Sequence, residues 1–248
     1  MAVQFPAFID ALEQRHLADL RFSEVTRALR ALSSTYVERR ETALARNKAL
    51  DGAGKRAAFA LFYGPLHFLL IAHIAREIGI ELSPGVIVDL GCGTGVGGAA
   101  LAACGSRLSA LGIDAHPWAL DEARFTYTMF GVKSDVRRGH AANTRLPQDT
   151  SIVVAAFVVN ELNDADRGRL LTTLTGPQAQ GTRHRVLIVE PISQRVSPWW
   201  DQWAGAFTAI GGRSDTWKAR IDAPPLVKKL AKASGLRPEL LTARSLFL

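Results

Sequence analysis

A glycine-rich turn between a short apolar strand and an alanine-rich helix is the feature that most restricts how this chain can fold. Residues 88–98 read VDLGCGTGVGG, with glycine at positions 91, 93, 95, 97 and 98. Glycine lets the backbone turn sharply and lets a ligand approach it without a Cβ atom in the way. A helix that begins directly after such a turn directs its first N–H groups toward that ligand. The segment therefore predicts a ligand-binding loop at the carboxyl end of a strand.

Strands and helices alternate on both sides of this turn. The pattern predicts strands at residues 86–90, 108–113, 134–138, 152–159 and 185–190, with helices at 97–104 and 117–130. Such alternation is typical of the α/β class with a doubly wound, mostly parallel, Rossmann-like sheet. A helix at 224–234 and a strand at 238–248 follow, and no further segment supplies a seventh strand. The sheet is therefore expected to be one strand short or to end in an irregular strand.

The first 82 residues follow a helical pattern instead. Leucine and valine recur at roughly helical spacing, with arginine and glutamate between them, until a DGAG sequence at 51–54 interrupts the run. A more apolar helix then continues to about residue 78, and a Ser-Pro-Gly turn precedes the first strand. We therefore predict a helical lid or extension at 1–82 and a sheet domain at 83–248.

One stretch of this extension approaches the composition of a membrane span. Residues 59–75 read FALFYGPLHFLLIAHIA. The stretch contains a Gly-Pro pair and two histidines, and a membrane span needs about 20 apolar residues. We therefore expect a buried helix and no association with a membrane.

Cysteine content and the first residues bear on the cellular compartment. The sequence contains only Cys92 and Cys104, which predict neither a disulfide framework nor a CxxC metal site. Few cysteines favour a reducing compartment, and the first residues lack the long apolar run of a signal peptide. We expect a cytoplasmic protein that holds no metal.

The chain is basic, with a formal net charge of +7 and a pI of about 9.8. Basic residues concentrate between positions 15 and 56, at Arg137-Arg138, and at positions 228, 229 and 232. Such a surface favours a polyanion such as RNA, because neutralised phosphates release their counterions. The alternative is a set of solvated helix faces in a protein that is simply basic. The charge is therefore compatible with an RNA partner without requiring one.

Asp89 distinguishes between two kinds of ligand for the glycine-rich loop. The glycines at 93, 95 and 98 match the GxGxxG pattern of dinucleotide-binding loops. However, a carboxylate two positions before the first glycine suits a cationic ligand and suits a pyrophosphate poorly. The sequence DLGCGTG at 89–95 resembles motif I of the class I S-adenosylmethionine (SAM) dependent methyltransferases. This resemblance implies that the loop holds the amino-acid end of SAM and that Asp89 orients its ammonium group.

The second strand ends at Asp114. Its carboxylate can accept hydrogen bonds from both ribose hydroxyls of SAM, as the equivalent acidic residue of NAD-binding proteins does for the ribose of NAD. The alternative is that Asp89 caps a turn and Asp114 caps a helix. Many methyltransferases have an Asp-Ala pair after the third strand, where this chain has His140-Ala141, and Trp118 either stacks on adenine or belongs to the core. The resemblance implies SAM as the cofactor and these cofactor-binding residues: Asp89, Gly91, Cys92, Gly93, Gly95, Asp114, Ala115, His116, His140 and Ala141.

The chemistry is expected where the fourth strand ends. Ligands of doubly wound sheets bind beyond the carboxyl ends of the strands, and VNELND follows the fourth strand at 159–164. Asn160 and Glu161 are therefore the candidate catalytic residues, with Glu161 as the base if the acceptor carries a proton. Glu161 can equally form an ion pair with the helix that follows. Glu190, at the end of the fifth strand, can likewise be a base or form an ion pair.

Three further residues are candidates for contact with the acceptor. Tyr63 and His67 lie one helical turn apart and can reach the pocket from the extension, although such side chains are also common in packed interiors. Trp199 belongs to a group of tryptophans between the fifth strand and the last helix. Its ring can stack on a base or hold an aromatic or acyl substrate, or it can fasten this region to the core.

Three separated segments point to a narrower kinship. They read LSSTY at 32–36, VVNEL at 158–162 and VLIVEP at 186–191. They loosely resemble the methyltransferase-like proteins associated with the small ribosomal subunit in bacteria and mitochondria. That family often has VEPG where this chain has VEPI, and its cysteine cluster for an iron–sulfur centre has no equivalent here.

This kinship bears on the acceptor. It implies rRNA or a ribosomal particle as the partner of a SAM-dependent methyltransferase. A small-molecule acceptor for O- or N-methylation, or a SAM-binding ribosome assembly factor without turnover, are the alternatives. The sequence gives no sign of an oligomeric state.

Overall fold

A seven-stranded sheet lies at the centre of the part of the chain that the structure describes. This computed structural model describes residues 4–38, 50–176, 184–193, 195 and 197–248. The strands are β1 (Gly85–Leu90), β2 (Leu108–Asp114), β3 (Lys133–Arg138), β4 (Thr150–Ala156), β5 (Arg185–Glu190), β6 (Arg213–Arg220) and β7 (Leu240–Phe247). The helices are α1 (Gln4–Leu17), α2 (Phe22–Glu38), α3 (Ala53–Ile78), α4 (Val96–Leu101), α5 (Pro117–Met129), α6 (Asp164–Thr175), α7 (Trp200–Ala209) and α8 (Pro225–Ser234). The basic residues between positions 39 and 48 lie outside the described residues.

The strand order shows where a ligand can bind. The strands are arranged β3-β2-β1-β4-β5-β7-β6. Strands β1 to β5 run parallel, whereas β7 is antiparallel to both β5 and β6. The chain leaves β1 toward one edge of the sheet and leaves β4 toward the other, so a crevice opens between the carboxyl ends of these two neighbours. The expected doubly wound, mostly parallel α/β sheet is therefore confirmed, and the glycine-rich loop lies at its crevice.

The central strands are apolar because both faces of the sheet are covered. Leu111, Val88, Val153 and Val186 lie side by side across four parallel strands, and all are buried. Branched side chains pack well on a pleated surface, and parallel sheets are normally covered on both faces. The two faces belong to separate hydrophobic clusters, one beneath α1 to α5 and one beneath α6 and α7.

The N-terminal helices share a hydrophobic cluster with the sheet. Phe8 of α1 and Ile74 of α3 are buried in the same cluster as the residues on one face of β1. Glu122 of α5, which is 2% exposed, also pairs with Arg15 and His16 of α1, each at 3.0 Å. The predicted extension is therefore packed onto the sheet by apolar contacts and by hydrogen bonds from α1 to the buried carboxyl of Glu122.

Helix α3 changes its winding partway along its length. Residues Phe59–Tyr63 form a turn of π-helix, and the α-helix resumes at Gly64. Gly79 ends the helix in a left-handed conformation with φ 74°. By length and composition alone the helix could span a membrane, but most of its apolar part is buried inside the molecule. The expected buried helix is therefore present.

The far edge of the sheet differs from the expectation. Within the described residues the sheet has seven strands, and β6 forms a regular antiparallel ladder with β7. The expectation of a missing or irregular strand is therefore wrong. The sequence of β6, RSDTWKAR, has no apolar run because an edge strand leaves much of its surface in solvent. Strand β4 also ends at Ala156 instead of at residue 159.

Helix α7 provides a test of the packing beneath the sheet. Trp203 is 1% exposed and packs against Trp199 and Phe207, with ring centroids at 5.0 Å and 6.4 Å. We expect Trp203→Ala to lower the free energy of unfolding by about 3–5 kcal/mol, because it leaves a cavity among these rings. Urea unfolding measures the change. Leu240→Ala, at a side chain that is 52% exposed, is the control and should change stability by less than about 0.5 kcal/mol. Equal losses in the two variants would contradict the packing of α7.

Candidate active site

A cavity of about 580 Å³ opens at the carboxyl ends of β1, β2, β4 and β5. Its size falls within the range of small-molecule sites in proteins. Its walls come from α3, from the loop after β1, from the ends of the parallel strands and from the segment that leads into β7. Its polar and ionisable wall residues include Tyr63, His67, Asp89, Thr94, Asp114, Asn160, Glu161 and Glu190. The helical extension and the glycine-rich loop therefore face the same space.

The loop after β1 uses glycine for two different reasons. Gly91, Gly93 and Gly95 have left-handed backbones, with φ of 62°, 52° and 75°. A Cβ atom at Gly91 would lie 2.2 Å from Val158 Cγ2, and one at Gly95 would lie 2.8 Å from Ala123 Cα, so protein atoms pack against these two glycines. A Cβ atom at Gly93 would meet nothing nearer than the Gly91 carbonyl oxygen, at 4.0 Å. Gly93 therefore borders open space on the cavity wall, where a ligand can approach the backbone.

Asp89 is 2% exposed and holds three elements together. Its Oδ2 accepts hydrogen bonds from the Gly98 N–H at 2.8 Å and from the Tyr127 hydroxyl at 2.9 Å. These bonds join β1 to α4 and α5. Burial raises the pKa of Asp89 to about 7, and the two hydrogen bonds offset part of that rise. A cationic ligand in the cavity would favour the ionised form of this carboxyl.

Asp114 fastens the turn after β2 to the glycine-rich loop. Its Oδ2 accepts a hydrogen bond from the Gly93 N–H at 3.0 Å, and its Oδ1 accepts one from the His116 N–H at 2.8 Å. His116 Nδ1 in turn accepts a hydrogen bond from the Trp118 N–H and so caps the first turn of α5. The Asp114 carboxylate is therefore held in a fixed position on the cavity wall beside Gly93.

Thr94 presents an unsatisfied polar group on the same wall. It is 4% exposed, and its Oγ1 forms no hydrogen bond to any residue that the structure describes. A buried hydroxyl without a partner is costly, and a ligand with a polar group can satisfy it. The wall thus combines two carboxylates, this hydroxyl and the open backbone at Gly93. Such a set fits a ligand that carries an ammonium group and hydroxyl groups, as SAM does.

The side chain of Asn160 is held at both ends. Its Nδ2 donates to Glu190 Oε2 at 2.6 Å, and its Oδ1 accepts a hydrogen bond from Trp199 Nε1 at 3.0 Å. Glu190 Oε1 also accepts from the N–H groups of Val159 and Asn160, at 2.7 Å and 3.3 Å. These bonds fix the short turn Val159–Glu161 against the end of β5. Asn160 therefore positions the turn that carries Glu161.

Glu190 has no solvent-exposed surface, yet it forms part of the cavity wall. Burial raises its pKa to about 8, and the negative charge of Glu161 adds to the rise. The hydrogen bond from the Asn160 N–H and the positive charge of Arg244 lower it in part. Glu190 and Glu161 thus line the same cavity, and Glu190 favours its protonated form at neutral pH.

Helix α3 brings Tyr63 and His67 to the cavity wall, with their rings 6.0 Å apart. His67 stacks on Phe157, the residue that follows β4, with ring centroids at 4.3 Å and 24° between the planes. Phe157 has a φ of 60°, which is uncommon for a bulky side chain. A hydrogen bond from its N–H to the Val189 carbonyl, at 2.8 Å, holds this conformation. The extension and the end of β4 therefore meet through a pair of stacked rings.

The cavity brings together some of the residues that the sequence singles out and leaves others apart. Its wall includes Tyr63, His67, Asp89, Gly91, Cys92, Gly93, Asp114, Asn160 and Glu161. Among the described residues, those singled out but not on the wall are Gly95, Ala115, His116, His140, Ala141 and Trp199. The side chain of His140 is 45% exposed and lies 3.7 Å from Asp166. Contact between adenine and His140-Ala141 stays a prediction.

The position of Trp199 corrects its expected role in acceptor binding. The side chain is 8% exposed, and its ring packs against Trp200 and Trp203, with centroids at 5.7 Å and 5.0 Å. Its N–H donates to Asn160, so the indole fastens the segment after β5 to the turn after β4. The structure therefore favours the interpretation that Trp199 fastens this region to the core.

Part of the cavity wall escapes sequence analysis. Phe157 lies within the strand expected at 152–159, and a positive φ at phenylalanine has no signal in the sequence. The segment at 236–242, including Arg237, reaches the cavity because β7 returns antiparallel beside β5. Such a long-range pairing has no local signature, so these wall residues become visible only in the folded chain.

The two buried carboxyls predict that stability depends on pH. A folded carboxyl with a raised pKa holds a proton that the unfolded chain has released, so stability falls as pH rises between the two pKa values. For Asp89 this window runs from 3.8 to about 7, and for Glu190 it runs from 4.5 to about 8. We expect the free energy of unfolding to fall between about pH 5 and pH 8, and Glu190→Gln to flatten the upper part of that slope.

Urea unfolding of the ligand-free protein at several pH values measures this slope. Glu239→Gln, at an exposed position, is the matched control and should keep the wild-type slope. A wild-type stability that is constant or rises over this window would contradict the raised pKa values.

Comparison with known proteins agrees with this geometry. Residues 87–176 match the protein family described as "Methyltransferase domain". The matched region extends from β1 through the glycine-rich loop and the turn after β4 into the end of α6. No curated protein shows a significant match to the sequence.

Solved structures extend the comparison to most of the chain. A candidate O-methyltransferase from Nostoc punctiforme is 16% identical over 90% of this chain and 68% of its own, with a TM-score of 0.52. A SAM-dependent methyltransferase from Aquifex aeolicus is 15% identical over 74% of this chain and 91% of its own, with a TM-score of 0.48. The mitomycin 7-O-methyltransferase MmcR is 16% identical over 96% of this chain and 71% of its own, with a TM-score of 0.49. The similarity to the Nostoc protein shows a shared fold, and the family match over residues 87–176 supports a methyltransferase domain.

Proposed function

We propose that this protein transfers the methyl group of SAM to an acceptor that binds beside SAM in the same cavity. The observation that carries the proposal is the wall formed by Asp89, Gly93 and Asp114, which shares one cavity with Glu161 and with rings of α3. A methyl donor and an acceptor must be held in contact and in line for transfer. One cavity with two chemically different walls meets that requirement.

The loop side of the cavity fits SAM. Asp89 offers a carboxylate to the ammonium group, Asp114 offers one to the ribose hydroxyls, and Gly93 leaves the backbone open beside them. When bound, SAM supplies a methyl group on a sulfonium, which an acceptor lone pair takes while the carbon–sulfur electron pair stays on sulfur. The contribution of these side chains is to hold the donor in one orientation.

An acceptor that carries a proton also requires a base. Glu161 lies on the cavity wall at the end of the turn that Asn160 and Glu190 hold in place. An ionised Glu161 can take the acceptor proton, whereas Glu190 favours its protonated form at neutral pH because it is buried. We therefore assign the base to Glu161 and the positioning of its turn to Asn160 and Glu190.

RNA is the first acceptor class that we propose. The segment that lines the cavity carries the exposed Arg237, and helices α2 and α8 carry the exposed Arg27 and Lys229. The two helices are joined by a hydrogen bond from Arg30 to the Ala233 carbonyl. Together with the net charge of +7 and the resemblance to ribosome-associated methyltransferase-like proteins, this basic surface supports a phosphate-bearing partner.

A small molecule is the second acceptor class, and the enclosure of the cavity favours it. Helix α3 covers one side of the space, residues 236–242 cover another, and many of the wall residues are apolar. Concave apolar sites with a few convergent polar groups are typical of small-molecule binding. The same enclosure would admit an RNA acceptor as a single unstacked nucleotide.

Label transfer from methyl-tritiated SAM tests the proposed function. The purified protein is incubated with labelled SAM and a fractionated cell extract, with and without ribonuclease. An RNA acceptor predicts macromolecular label that ribonuclease releases, and a small-molecule acceptor predicts, in both samples, a labelled low-mass product that chromatography separates from SAM. Absence of transfer together with intact binding of the product S-adenosylhomocysteine would contradict methyl transfer and would favour a SAM-binding assembly factor.

Glu161→Gln tests the assignment of the base. For an acceptor that loses a proton, we expect transfer to fall by roughly 10²-fold or more, because the amide cannot accept that proton. Affinity for S-adenosylhomocysteine should stay unchanged, as measured by titration calorimetry. Glu81→Gln, at an exposed position away from the cavity wall, is the control. Full activity of Glu161→Gln would reject this residue as the base.

Gly93→Ala tests whether SAM approaches the backbone of the loop. A methyl group at Gly93 meets no protein atom, but it takes up space on the cavity wall. We expect binding of S-adenosylhomocysteine to weaken by roughly tenfold or more, which corresponds to about 1.4 kcal/mol. Gly131→Ala is the matched control, since Gly131 has a similar φ of 67° and also has free space around it, but it does not line the cavity. Equal affinities of the two variants would contradict close approach at Gly93.

A further inference from the structure

Ring-bearing side chains from two separate parts of the chain form one connected wall of the cavity. Phe59, Tyr63 and His67 come from α3, and Phe157 follows β4. The centroid of the Phe59 ring lies 5.9 Å from that of Tyr63 and 6.3 Å from that of His67. His67 in turn stacks on Phe157 at 4.3 Å. We name these four residues the ring wall.

The ring wall begins next to the proposed SAM site. Phe59 meets Trp118 edge-on, with ring centroids at 6.5 Å. Trp118 follows the turn held by Asp114 and also lines the cavity. A molecule that lies against the ring wall would therefore adjoin a molecule bound at the loop side, as transfer between them requires.

The four rings of the wall are half-buried, whereas the core of the protein encloses Trp203 and Tyr127 almost completely. Each ring borders the cavity and so leaves part of its apolar surface available to a ligand. Aromatic rings stabilise bound ligands through both contact area and ring-on-ring geometry. Apolar surface of this kind inside a concave site is typical of ligand binding.

Two unusual backbone segments place these rings. Phe59–Tyr63 is a π-helical turn, a departure from α-helix that is common at functional sites. Phe157 has a positive φ of 60°, a conformation that costs a bulky residue free energy and that is found most often at functional sites. Both ends of the ring wall thus depend on backbone geometry that ordinary core packing does not require.

Hydrogen-bonding groups lie in the same cavity. Glu161 belongs to the turn that begins two residues after Phe157, and Glu190 adjoins that turn through its hydrogen bonds to Val159 and Asn160. Both carboxyls form part of the cavity wall. The carboxylate oxygens of Glu161 accept hydrogen bonds, so a ligand that meets them favourably carries an N–H or O–H group.

We propose that the ring wall is the acceptor subsite and that it takes a flat aromatic or heteroaromatic ring bearing an N–H or O–H group, such as a nucleobase or a phenol. This inference rests on the proposed function, which assigns the loop side of the cavity to SAM. Stacking on His67, Tyr63 or Phe59 selects the flat ring, and Glu161 in the turn after β4 selects the hydrogen-bond donor.

Binding of three small probes to the full chain tests the chemistry of the subsite. Phenol, cyclohexanol and anisole are titrated separately against the protein saturated with S-adenosylhomocysteine, and binding is followed by ligand-observed NMR. Phenol and cyclohexanol share a six-membered ring and a hydroxyl but differ in flatness, whereas anisole is flat but lacks the donor. We expect phenol to bind at least roughly fivefold more tightly than cyclohexanol, as stacking of one ring predicts, and more tightly than anisole. Equal affinities for phenol and cyclohexanol would overturn the proposal.

Paired variants locate the binding on the ring wall. Tyr63→Leu and His67→Leu remove a ring, whereas Tyr63→Phe and His67→Phe keep one. We expect each leucine variant to weaken phenol binding at least roughly fivefold relative to its phenylalanine partner. Thermal unfolding and affinity for S-adenosylhomocysteine show whether each pair is folded, and the two pairs provide independent tests. Leucine variants that bind phenol as tightly as their phenylalanine partners would overturn the placement.

The same experiments separate this inference from the proposed function and identify the source of the ring. Wild-type protein that binds phenol but not S-adenosylhomocysteine would reject the SAM site and retain the ring subsite. Displacement of phenol by a short single-stranded RNA, weakened by salt, would support a base of RNA as the ring. Displacement by cytidine or by a free phenol derivative but not by the RNA would support a small-molecule ring. Either displacement result supports a flat acceptor.

Discussion

The buried carboxylate of Asp89 is the constraint on which the rest of the site depends. A carboxyl without water must receive hydrogen bonds from the protein, and Gly98 and Tyr127 supply them from α4 and α5. The carboxylate also explains the small residues behind it. A Cβ atom at Gly98 would lie 3.0 Å from Asp89 Oδ2, and one at Gly97 would lie 3.4 Å from Oδ1. The glycine-rich loop therefore connects β1 to α4, and the Asp89 carboxylate fixes the positions of these two elements relative to each other.

A second buried carboxyl organises the other side of the crevice. Glu190 accepts hydrogen bonds from the N–H groups of Val159 and Asn160 and from the side-chain amide of Asn160. The side-chain oxygen of Asn160 in turn accepts a hydrogen bond from the indole N–H of Trp199. The ends of β1 and β5 therefore share the same arrangement of a buried, hydrogen-bonded carboxyl. In both places a desolvated acid, satisfied by backbone and side-chain donors, sets the conformation of a functional loop. The groups that face a ligand, such as Gly93 and Glu161, are neighbours of these anchors.

Local patterns predict one half of the site and long-range packing determines the other. Asp89 lies near the end of β1, Asp114 ends β2, and the glycine-rich loop follows β1 directly, so a strand–turn–helix pattern places them at the same end of the sheet. Phe157 and Trp199 carry no such pattern, because the positive φ of Phe157 and the hydrogen bond from Trp199 to Asn160 depend on contacts between distant segments. The same reason explains why β6 escapes sequence analysis, since an edge strand needs no apolar run. The sequence thus predicts the doubly wound sheet. It does not predict the antiparallel strands at one edge of the sheet or the part of the cavity wall formed by Phe157 and residues 236–242.

The antiparallel return of β7 has a consequence for how ligand binding and folding are linked. The cavity draws its wall from residues as far apart as Ser33 and Thr242. A partly folded chain with its parallel strands in place, but with α3 or β7 undocked, has the glycine-rich loop and yet no enclosed site. A ligand that needs the whole wall binds the completed structure alone and shifts the equilibrium toward it by mass action. Occupancy of the cavity therefore stabilises the edges of the molecule, where the chain is held by its most distant contacts.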